Sequence, residues 1–154
     1  MRVVRSENPY IREIVEEDIH NMYIFTDNTD RDSGKQLISD DSWYALKYGS
    51  GKHYPKVTTA LLRGLSNAYP ITTQRYYNKQ FKGITGRWCD QDIEEFKKVI
   101  DDDFEEIYRN AKRYEKIILP VGGIFNSKTS NISKERTPEL YDYLMAKCKT
   151  LLDI

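Results

Sequence analysis

The chain has few of the residues that build metal sites and disulfide frameworks. Among its 154 residues it holds two cysteines, Cys89 and Cys148, and two histidines, His20 and His53. The two cysteines have no metal-ligand spacing, and alone they do not make a disulfide framework. We therefore expect no structural zinc site and no cofactor. A reducing cytoplasmic compartment is the default expectation.

Excess charge of one sign and long apolar runs are also missing. Lysine plus arginine equals aspartate plus glutamate at 24 each, so the formal net charge is zero. A general nucleic-acid binder usually carries a basic excess, and this balance argues against extended nucleic-acid contact. No apolar run approaches the roughly 20 residues that a membrane helix needs, and the N-terminus lacks a signal-peptide pattern. We expect no membrane partner, and the sequence leaves the oligomeric state open.

Strand and helix patterns alternate along the chain and predict one α/β domain, residues 1–154, with a mixed sheet flanked by helices. The apolar run MYIFT at 22–26, followed by turn-forming residues, predicts a buried strand that ends in a loop. A second apolar run, KIILPV at 116–121, predicts a strand covered on both faces. We expect both strands in one sheet, with their carboxyl ends on the same side.

Weaker patterns predict the elements between these strands. IREIVE at 11–16 alternates apolar and charged residues, which predicts a half-exposed strand in an N-terminal strand or extension at 1–21. PKVTTALLRGLSNA at 55–68 predicts a helix. AYPIT at 68–72 predicts a short strand near an edge, because Pro70 cannot donate to a central ladder.

Two helices have clear signals. The first, at 91–114, has Asp90 as a candidate N-cap, acidic residues in its first turn and basic residues in its last. Its apolar residues recur at steps of three and four and predict one buried stripe: Ile93, Phe96, Ile100, Phe104, Ile107, Ala111 and Tyr114. Thr137 before Pro138 predicts the start of a second helix at 138–152. Its predicted inward stripe is Leu140, Leu144, Cys148 and Leu151.

Two glycine-bearing polar loops follow the two most apolar strands, TDNTDRDSGKQ at 26–36 and GGIFNSKTSN opening at 122. Ligands of open α/β sheets bind beyond the carboxyl ends of the strands. Glycine allows backbone N–H groups to approach an anion and takes the positive φ that such a nest requires. The loop residues expected to hold phosphate are Asn28, Arg31, Gly34, Lys35, Gly122, Gly123, Asn126 and Lys128. The alternative, two ordinary solvated turns, stays open.

Four segments in order carry a resemblance to a known family: MYIFTDN, RGLSNAYPITT, WCDQDIEEFKKVIDDDFEEI and KIILPVGGIFNSKTSNI. This order resembles small phage-borne and bacterial macrodomain-like proteins over about residues 22–147. Macrodomains are α/β modules that bind ADP-ribose with a glycine-rich pyrophosphate loop after a late strand. The resemblance implies a phage protein in the host cytoplasm that sequesters or processes a nucleotide signal, with an anti-defence role.

Carried over residue by residue, the resemblance implies ligand contacts at three strand ends and in the last loop. The implied ligand-binding residues are Thr26, Thr72, Thr73, Gly122, Gly123, Ile124 and Phe125, with Gln74 directly after the middle strand. Asp27 and Asn28 match the first strand end and are the candidate catalytic residues, because hydrolysis of an ADP-ribose bond needs a positioned water or a carboxylate base. Whether the protein is such a hydrolase, acting on an ADP-ribose or nucleotide derivative, stays open. Cys89 precedes a helix start, a place that can lower the pKa of a thiol.

A different class of function rests on RYYNKQFKGITGRW at 75–88, where basic and aromatic residues interleave. Such a segment can stack bases and hold backbone phosphates, which predicts a single-stranded nucleic-acid or protein-interaction module. In the nucleotide-binding hypothesis, the same segment lies at the rim of the site and Tyr76 or Tyr77 stacks on the base of the ligand. The alternative is a loop whose aromatic residues, Trp88 among them, pack on the domain.

Overall fold

A computed structural model of the protein describes residues 2–28, 59–74, 88–125 and 132–152. These residues contain a four-stranded sheet in the order β1-β4-β2-β3. The strands are β1 (Arg2–Arg5), β2 (Asn21–Asn28), β3 (Ala68–Gln74) and β4 (Lys116–Leu119). All three pairings are parallel. The α/β class is confirmed, but the described strands form a parallel sheet and not the mixed sheet that the sequence predicted.

Three α-helices lie in the described ranges, α1 (Arg12–Glu17), α2 (Ile93–Ala111) and α3 (Pro138–Leu151). A 3-10 turn spans Thr59–Leu62, and another, Asp90–Asp92, leads directly into α2. In the described part of the chain, no helix has the length and apolar character needed to cross a membrane.

The strand predicted at 11–16 is wrong, because this segment forms α1. Ile11, Ile14 and Val15 stand at i, i+3 and i+4, which is a helical and not an alternating spacing, and only Val15 among them is buried. Helical bonding is explicit, since the N–H of Asp18 donates to the carbonyl of Ile14 at 3.2 Å. The N-terminal strand lies earlier in the chain, at β1.

The helix predicted at 55–68 is also wrong in its described part. Only Thr59–Leu62 is helical there, as a single 3-10 turn, and residues 55–58 lie outside the described ranges. Gly64 takes a φ of 87°, which a continuing right-handed helix does not allow. This glycine turns the chain toward β3, which begins four residues later.

One face of the sheet packs against α2 and α3 in a continuous apolar cluster. The predicted stripe of α2 is confirmed, with Phe96, Ile100, Phe104 and Ile107 buried on this face. In α3 the buried residues recur every fourth position at Leu140, Leu144 and Cys148, and Leu152, directly after the helix, continues this spacing; the side chain of the predicted Leu151 lies outside the described residues. The sheet contributes side chains that alternate along each strand, such as Met22 and Ile24 of β2 and Ile117 and Leu119 of β4.

The opposite face is covered by α1, the preceding residue Tyr10 and the 3-10 turn. Tyr10, Val15 and Leu62 are buried here against Tyr23 and Phe25 of β2. The hydroxyl of Tyr10 donates to the carbonyl of Ile24 at 2.7 Å, which fixes the approach to α1 above the centre of the sheet. The described residues therefore form three layers, and the next described elements after neighbouring strands lie on opposite faces.

The two middle strands, β4 and β2, are neighbours whose next described elements lie on opposite faces of the sheet. The chain beyond β4 continues into α3 on one face, and the next described element after β2 is the 3-10 turn on the other. Open α/β sheets generally bind their ligands outside the carboxyl ends of the strands. The carboxyl ends of β2 and β4 point to the same side, as predicted, because the two strands pair in parallel.

Candidate functional site

The carboxyl ends of the four strands bring four short segments to one edge of the sheet. We call this region the carboxyl edge and define it as Arg5, residues 26–28, residues 72–74 and residues 120–123. Along β2 the buried side chains change from apolar, up to Phe25, to polar at Thr26 and Asp27. The same change occurs along β3. Ile71 is apolar, whereas Thr72 and Thr73 are polar and have no exposed surface.

Asp27 forms a buried ion pair with Arg63, a residue of the turn between Leu62 and β3. The Nε of Arg63 donates to Oδ2 of Asp27 at 2.8 Å, and the Nη2 donates to Oδ1. The side chains are 2% and 1% exposed, so water reaches neither partner. Arg12 of α1 holds this turn in place through Nη1, which lies 2.7 Å from the carbonyl oxygens of both Leu61 and Arg63.

Thr72 makes a second buried polar contact, with Asp103 of α2. Both the backbone N–H and the hydroxyl of Thr72 donate to Oδ2 of Asp103, at 2.8 and 2.7 Å. Asp103 is 4% exposed and lies in the apolar stripe, three residues after Ile100 and four before Ile107. Its place in this stripe was a readable signal that sequence reasoning missed. Arg63, which was also missed, carried no comparable signal.

Both long helices begin near the carboxyl edge. Tyr114, just beyond α2, contacts Tyr69 at the start of β3, whereas Asp103 contacts Thr72 near the strand end, so α2 runs antiparallel to β3. The first turn of α3 lies beside the start of α2, where the N–H of Leu140 is 3.4 Å from Oδ1 of Asp90. Helix N-termini favour anions. The carboxylates already in both first turns offset that field.

Gly123 has the positive φ expected of an anion-binding loop, but its N–H is engaged within the loop itself. Its φ is 73°, and its N–H donates to the carbonyl of Pro120 at 2.9 Å. Gly123 is buried, whereas Gly122 beside it is exposed and does not have a positive φ. The glycine turn that the sequence predicts after β4 therefore forms, and Gly122 is its exposed glycine.

The guanidinium of Arg5 covers Gly123. A Cβ on Gly123 would lie 3.3 Å from Nη2, 3.6 Å from Cζ and 3.9 Å from Nε of Arg5. Arg5 is the last residue of β1 and pairs in register with Leu119, the last residue of β4. Its side chain is exposed, and within the described ranges no carboxylate forms an ion pair with it. Sequence reasoning missed Arg5, because its role depends on the pairing of β1 with β4.

The other predicted ligand residues divide into three groups. Ile124 is buried in the main core, and Phe125 packs against Tyr141 of α3 with ring centroids 4.9 Å apart. Gln74 is half-buried at the end of β3, and Asn28 ends β2. Outside the described residues lie Arg31, Gly34, Lys35, Tyr76, Asn126 and Lys128. In the described part of the chain, no group of three or more histidine, cysteine or acidic side chains could hold a metal ion.

Cys89 does not have the lowered pKa that its position before a helix suggested. The thiol donates to Oδ2 of Asp92 at 3.1 Å, and the backbone N–H of Cys89 donates to the same oxygen at 3.1 Å. The hydrogen bond to the carboxylate, followed by desolvation, raises the pKa of the thiol. A carboxylate beside a thiol opposes formation of a second negative charge. Cys89 is therefore not an activated nucleophile.

Trp88 is the one aromatic residue of the 75–88 segment that lies in the described ranges. It is 2% exposed and packs edge-to-face on Phe96, with ring centroids 5.3 Å apart. A buried indole cannot serve as a surface for stacking bases. Trp88 therefore matches the alternative hypothesis, in which the aromatic side chains of this segment pack on the domain. Residues 75–87 lie outside the described ranges.

The fold and the carboxyl edge define a three-layer α/β domain with buried polar groups at the ends of its central strands. The sequence model of the family DUF7831, a family of unknown function, matches residues 5–147, so the chain belongs to this family. No curated protein and no solved structure matches the chain. None of these comparisons shows a relationship with macrodomains.

Proposed function

We propose that the protein binds a small, phosphate-bearing, nucleotide-like ligand at the carboxyl edge. The observation that carries the proposal is the run of buried polar side chains at the ends of β2 and β3: Thr26, Asp27, Thr72 and Thr73. They lie at the carboxyl edge, the side of the sheet on which open α/β folds bind their ligands.

Stability alone does not explain why these positions are polar. A buried ion pair such as Asp27 with Arg63 is often no more stabilising than apolar side chains of the same volume, because two charges must lose their water. The same strands bury only apolar residues in their first halves, so apolar packing is available to this sheet. Polar groups concentrated at strand ends are what a binding site for a polar molecule needs.

The chemistry of the edge favours a phosphate-bearing ligand. Arg5 supplies an exposed cation, and the exposed Gly122 lets a ligand approach the backbone closely. The macrodomain resemblance places ADP-ribose among the ligands to be tested. It also suggests a macrodomain-like role in which a phage protein withdraws a nucleotide signal.

Binding without turnover is the form of the proposal that this geometry supports. Both carboxylate oxygens of Asp27 accept hydrogen bonds from Arg63. A general base must accept a proton from the attacking water, and a carboxylate held in a bidentate pair is poorly placed to do so.

The test is a thermal-shift screen with ADP-ribose, NAD, AMP and cyclic nucleotides, with adenosine as the control that lacks phosphate. A ligand at 100 times its Kd stabilises the folded state by about 2.7 kcal/mol, which shifts the melting temperature measurably. We expect a phosphate-bearing compound to stabilise the protein and adenosine not to. Mass analysis after incubation is expected to recover the ligand intact, and a hydrolysed product would replace sequestration by catalysis.

Two variants with the same added charge locate the binding. Gly122→Asp places a carboxylate at the carboxyl edge, and His20→Asp places one at the opposite edge, where β2 begins. Both residues are exposed, so both variants are expected to fold. Repulsion of phosphate by the new charge should weaken binding in Gly122→Asp alone. Equal binding by both variants, or no stabilisation of the parent protein by any phosphate compound, would reject the proposed function.

A further inference from the structure

We infer that Arg5 is the residue that holds the phosphate of the ligand, and that Gly123 is glycine so that the guanidinium of Arg5 can lie against it. The inference rests on the proposed function and deepens it by naming the recognised group, a phosphate or diphosphate, and the side chain that binds it. The structure brings the two residues together across the pair formed by β1 and the chain that leaves β4.

The contact between Arg5 and Gly123 is close and broad. Three atoms of the guanidinium group, Nη2, Cζ and Nε, lie between 3.3 and 3.9 Å from the Cβ position of Gly123. Such similar distances mean that the planar group packs over the glycine and does not merely touch it with one end. The φ of 73° disfavours a side chain at Gly123, and a Cβ there would also press on the guanidinium at 3.3 Å and require it to shift.

Arg5 differs from several other arginines in the described part of the chain. Arg12 binds two carbonyl oxygens, Arg63 is paired with Asp27, and Arg109 is paired with acids of its own helix. In the described part of the chain, Arg5 has neither an ion pair nor a hydrogen bond from its guanidinium. Its guanidinium lies beside Gly123, and its N–H groups are available for a ligand.

The position of Arg5 explains how this edge can bind an anion. The acids in the first turns of α2 and α3 offset the favourable field of the helix N-termini. A cation must therefore come from another element, and Arg5 is placed there by the register of β1 with β4. A planar guanidinium donates two parallel hydrogen bonds to a phosphate, a geometry that a lysine ammonium cannot reproduce.

The test measures binding of inorganic pyrophosphate and of ADP-ribose by calorimetry, in the full chain and in three variants. Arg5→Ala removes the group, and Arg5→Lys keeps the charge without the planar fork. Arg2→Ala is the matched control, because Arg2 is also an exposed arginine and lies at the other end of the same strand. We expect Arg5→Ala to weaken binding of both probes by roughly 10- to 100-fold, the range for charged hydrogen bonds. The affinity of Arg5→Lys for both probes should lie between that of the parent and that of Arg5→Ala. Arg2→Ala should bind both probes as tightly as the parent does.

The outcomes separate the inference from the proposed function. If the parent protein binds neither pyrophosphate nor any nucleotide, the proposed function fails and the inference with it. If the parent binds and Arg5→Ala binds equally well, only the role of Arg5 is rejected. Loss of ADP-ribose binding with unchanged pyrophosphate binding would also reject it, because the recognised group would then not be the phosphate.

A double-mutant cycle tests the reason for glycine. Gly123→Ala is expected to lower the melting temperature, because an alanine is strained at a φ of 73°, and to lower the affinity for pyrophosphate, because the new methyl group presses on the guanidinium. In the Arg5→Ala background, Gly123→Ala should cause no further loss of affinity, since residues that act together are not additive. Equal losses of affinity in both backgrounds would show that Gly123 acts independently of Arg5 and would reject the coupled arrangement.

Discussion

Arg63 and Asp27 are 36 residues apart in the chain and form a bidentate ion pair with almost no exposed surface. The pair joins the carboxyl end of β2 to the turn that precedes β3. It therefore ties the central strand of the proposed site to the layer that covers it.

Loss of Arg63 alone should be costly. In Arg63→Met the carboxylate of Asp27 stays buried without its cation, and we expect the free energy of unfolding to fall by about 3–5 kcal/mol. Urea unfolding measures this loss. The double variant Asp27→Leu/Arg63→Met removes both charges and should recover most of the stability. Arg109→Met, which breaks only exposed pairs with Glu105 and Glu106, should cost less than about 1 kcal/mol. Similar losses for the buried and the exposed arginine would contradict the assignment.

Asp103 should contribute to the free energy of unfolding, whereas its neighbour Asp102 should not. Asp103→Leu leaves the buried N–H and hydroxyl of Thr72 without their acceptor, and we expect a loss of about 1–3 kcal/mol in the free energy of unfolding. Asp102→Leu is the control, because Asp102 is exposed on the same helix. Hydrogen exchange adds a local measurement, since the amide of Thr72 should lose protection in Asp103→Leu. An amide that exchanges as slowly in the variant as in the parent would contradict the contact.

Tyr143 should make stability fall at high pH. Partial burial, and then its hydrogen bond to Asp101, raise the pKa of Tyr143 to about 12. An unfolded tyrosine titrates near 10, so the native state keeps this proton longer. The contribution of Tyr143 to the free energy of unfolding is complete below about pH 10 and disappears as pH rises toward 12. In Tyr143→Phe this part of the alkaline loss should vanish, as measured by unfolding at pH 9 to 12. Identical pH profiles for the two proteins would contradict it.

The hydrogen bond between Tyr143 and Asp101 should also affect the titration of Asp101 at acidic pH. Desolvation acts to raise the pKa of Asp101, but the hydrogen bonds from Tyr143 and from Lys147, at 2.9 Å, outweigh it and lower the pKa. The contribution of Asp101 is present above the ordinary aspartate pKa and is lost as pH falls through the lowered value. NMR titration of the Asp101 carboxyl should show a higher pKa in Tyr143→Phe and in Lys147→Ala. A pKa that stays constant in both variants would contradict this assignment.

The two cysteines should react at different rates, and neither should react quickly. Cys148 is fully buried, and desolvation raises its thiol pKa to about 12, so it should resist alkylation until the protein unfolds. Cys89 is exposed, but Asp92 raises its pKa. Asp92→Asn should therefore speed the alkylation of Cys89 at neutral pH, since the thiolate is the reactive form. Mass spectrometry of timed alkylation measures both rates. An unchanged or slower rate in Asp92→Asn would contradict the role of Asp92.

The elements that sequence reasoning predicted well are those whose pattern is long or strongly apolar. The α2 stripe repeats over five turns, and the runs at 22–26 and 116–121 are continuous, so local burial determined both the type of element and its inward face. The short segments at 11–16 and 55–68 failed. With so few residues, helical and strand periodicities overlap, and contacts with the rest of the fold select between them.

What the sequence by itself determined was the α/β class, the core faces of the long helices and the glycine-led turn after β4. Each follows from the properties of neighbouring residues in the chain. Only the tertiary structure decided the parallel order β1-β4-β2-β3, the pairing of Asp27 with Arg63 and the placement of Arg5 over Gly123. These contacts join residues far apart in sequence. Their partners are selected by strand register and by the need to satisfy charge and hydrogen bonds away from water, which no local pattern records.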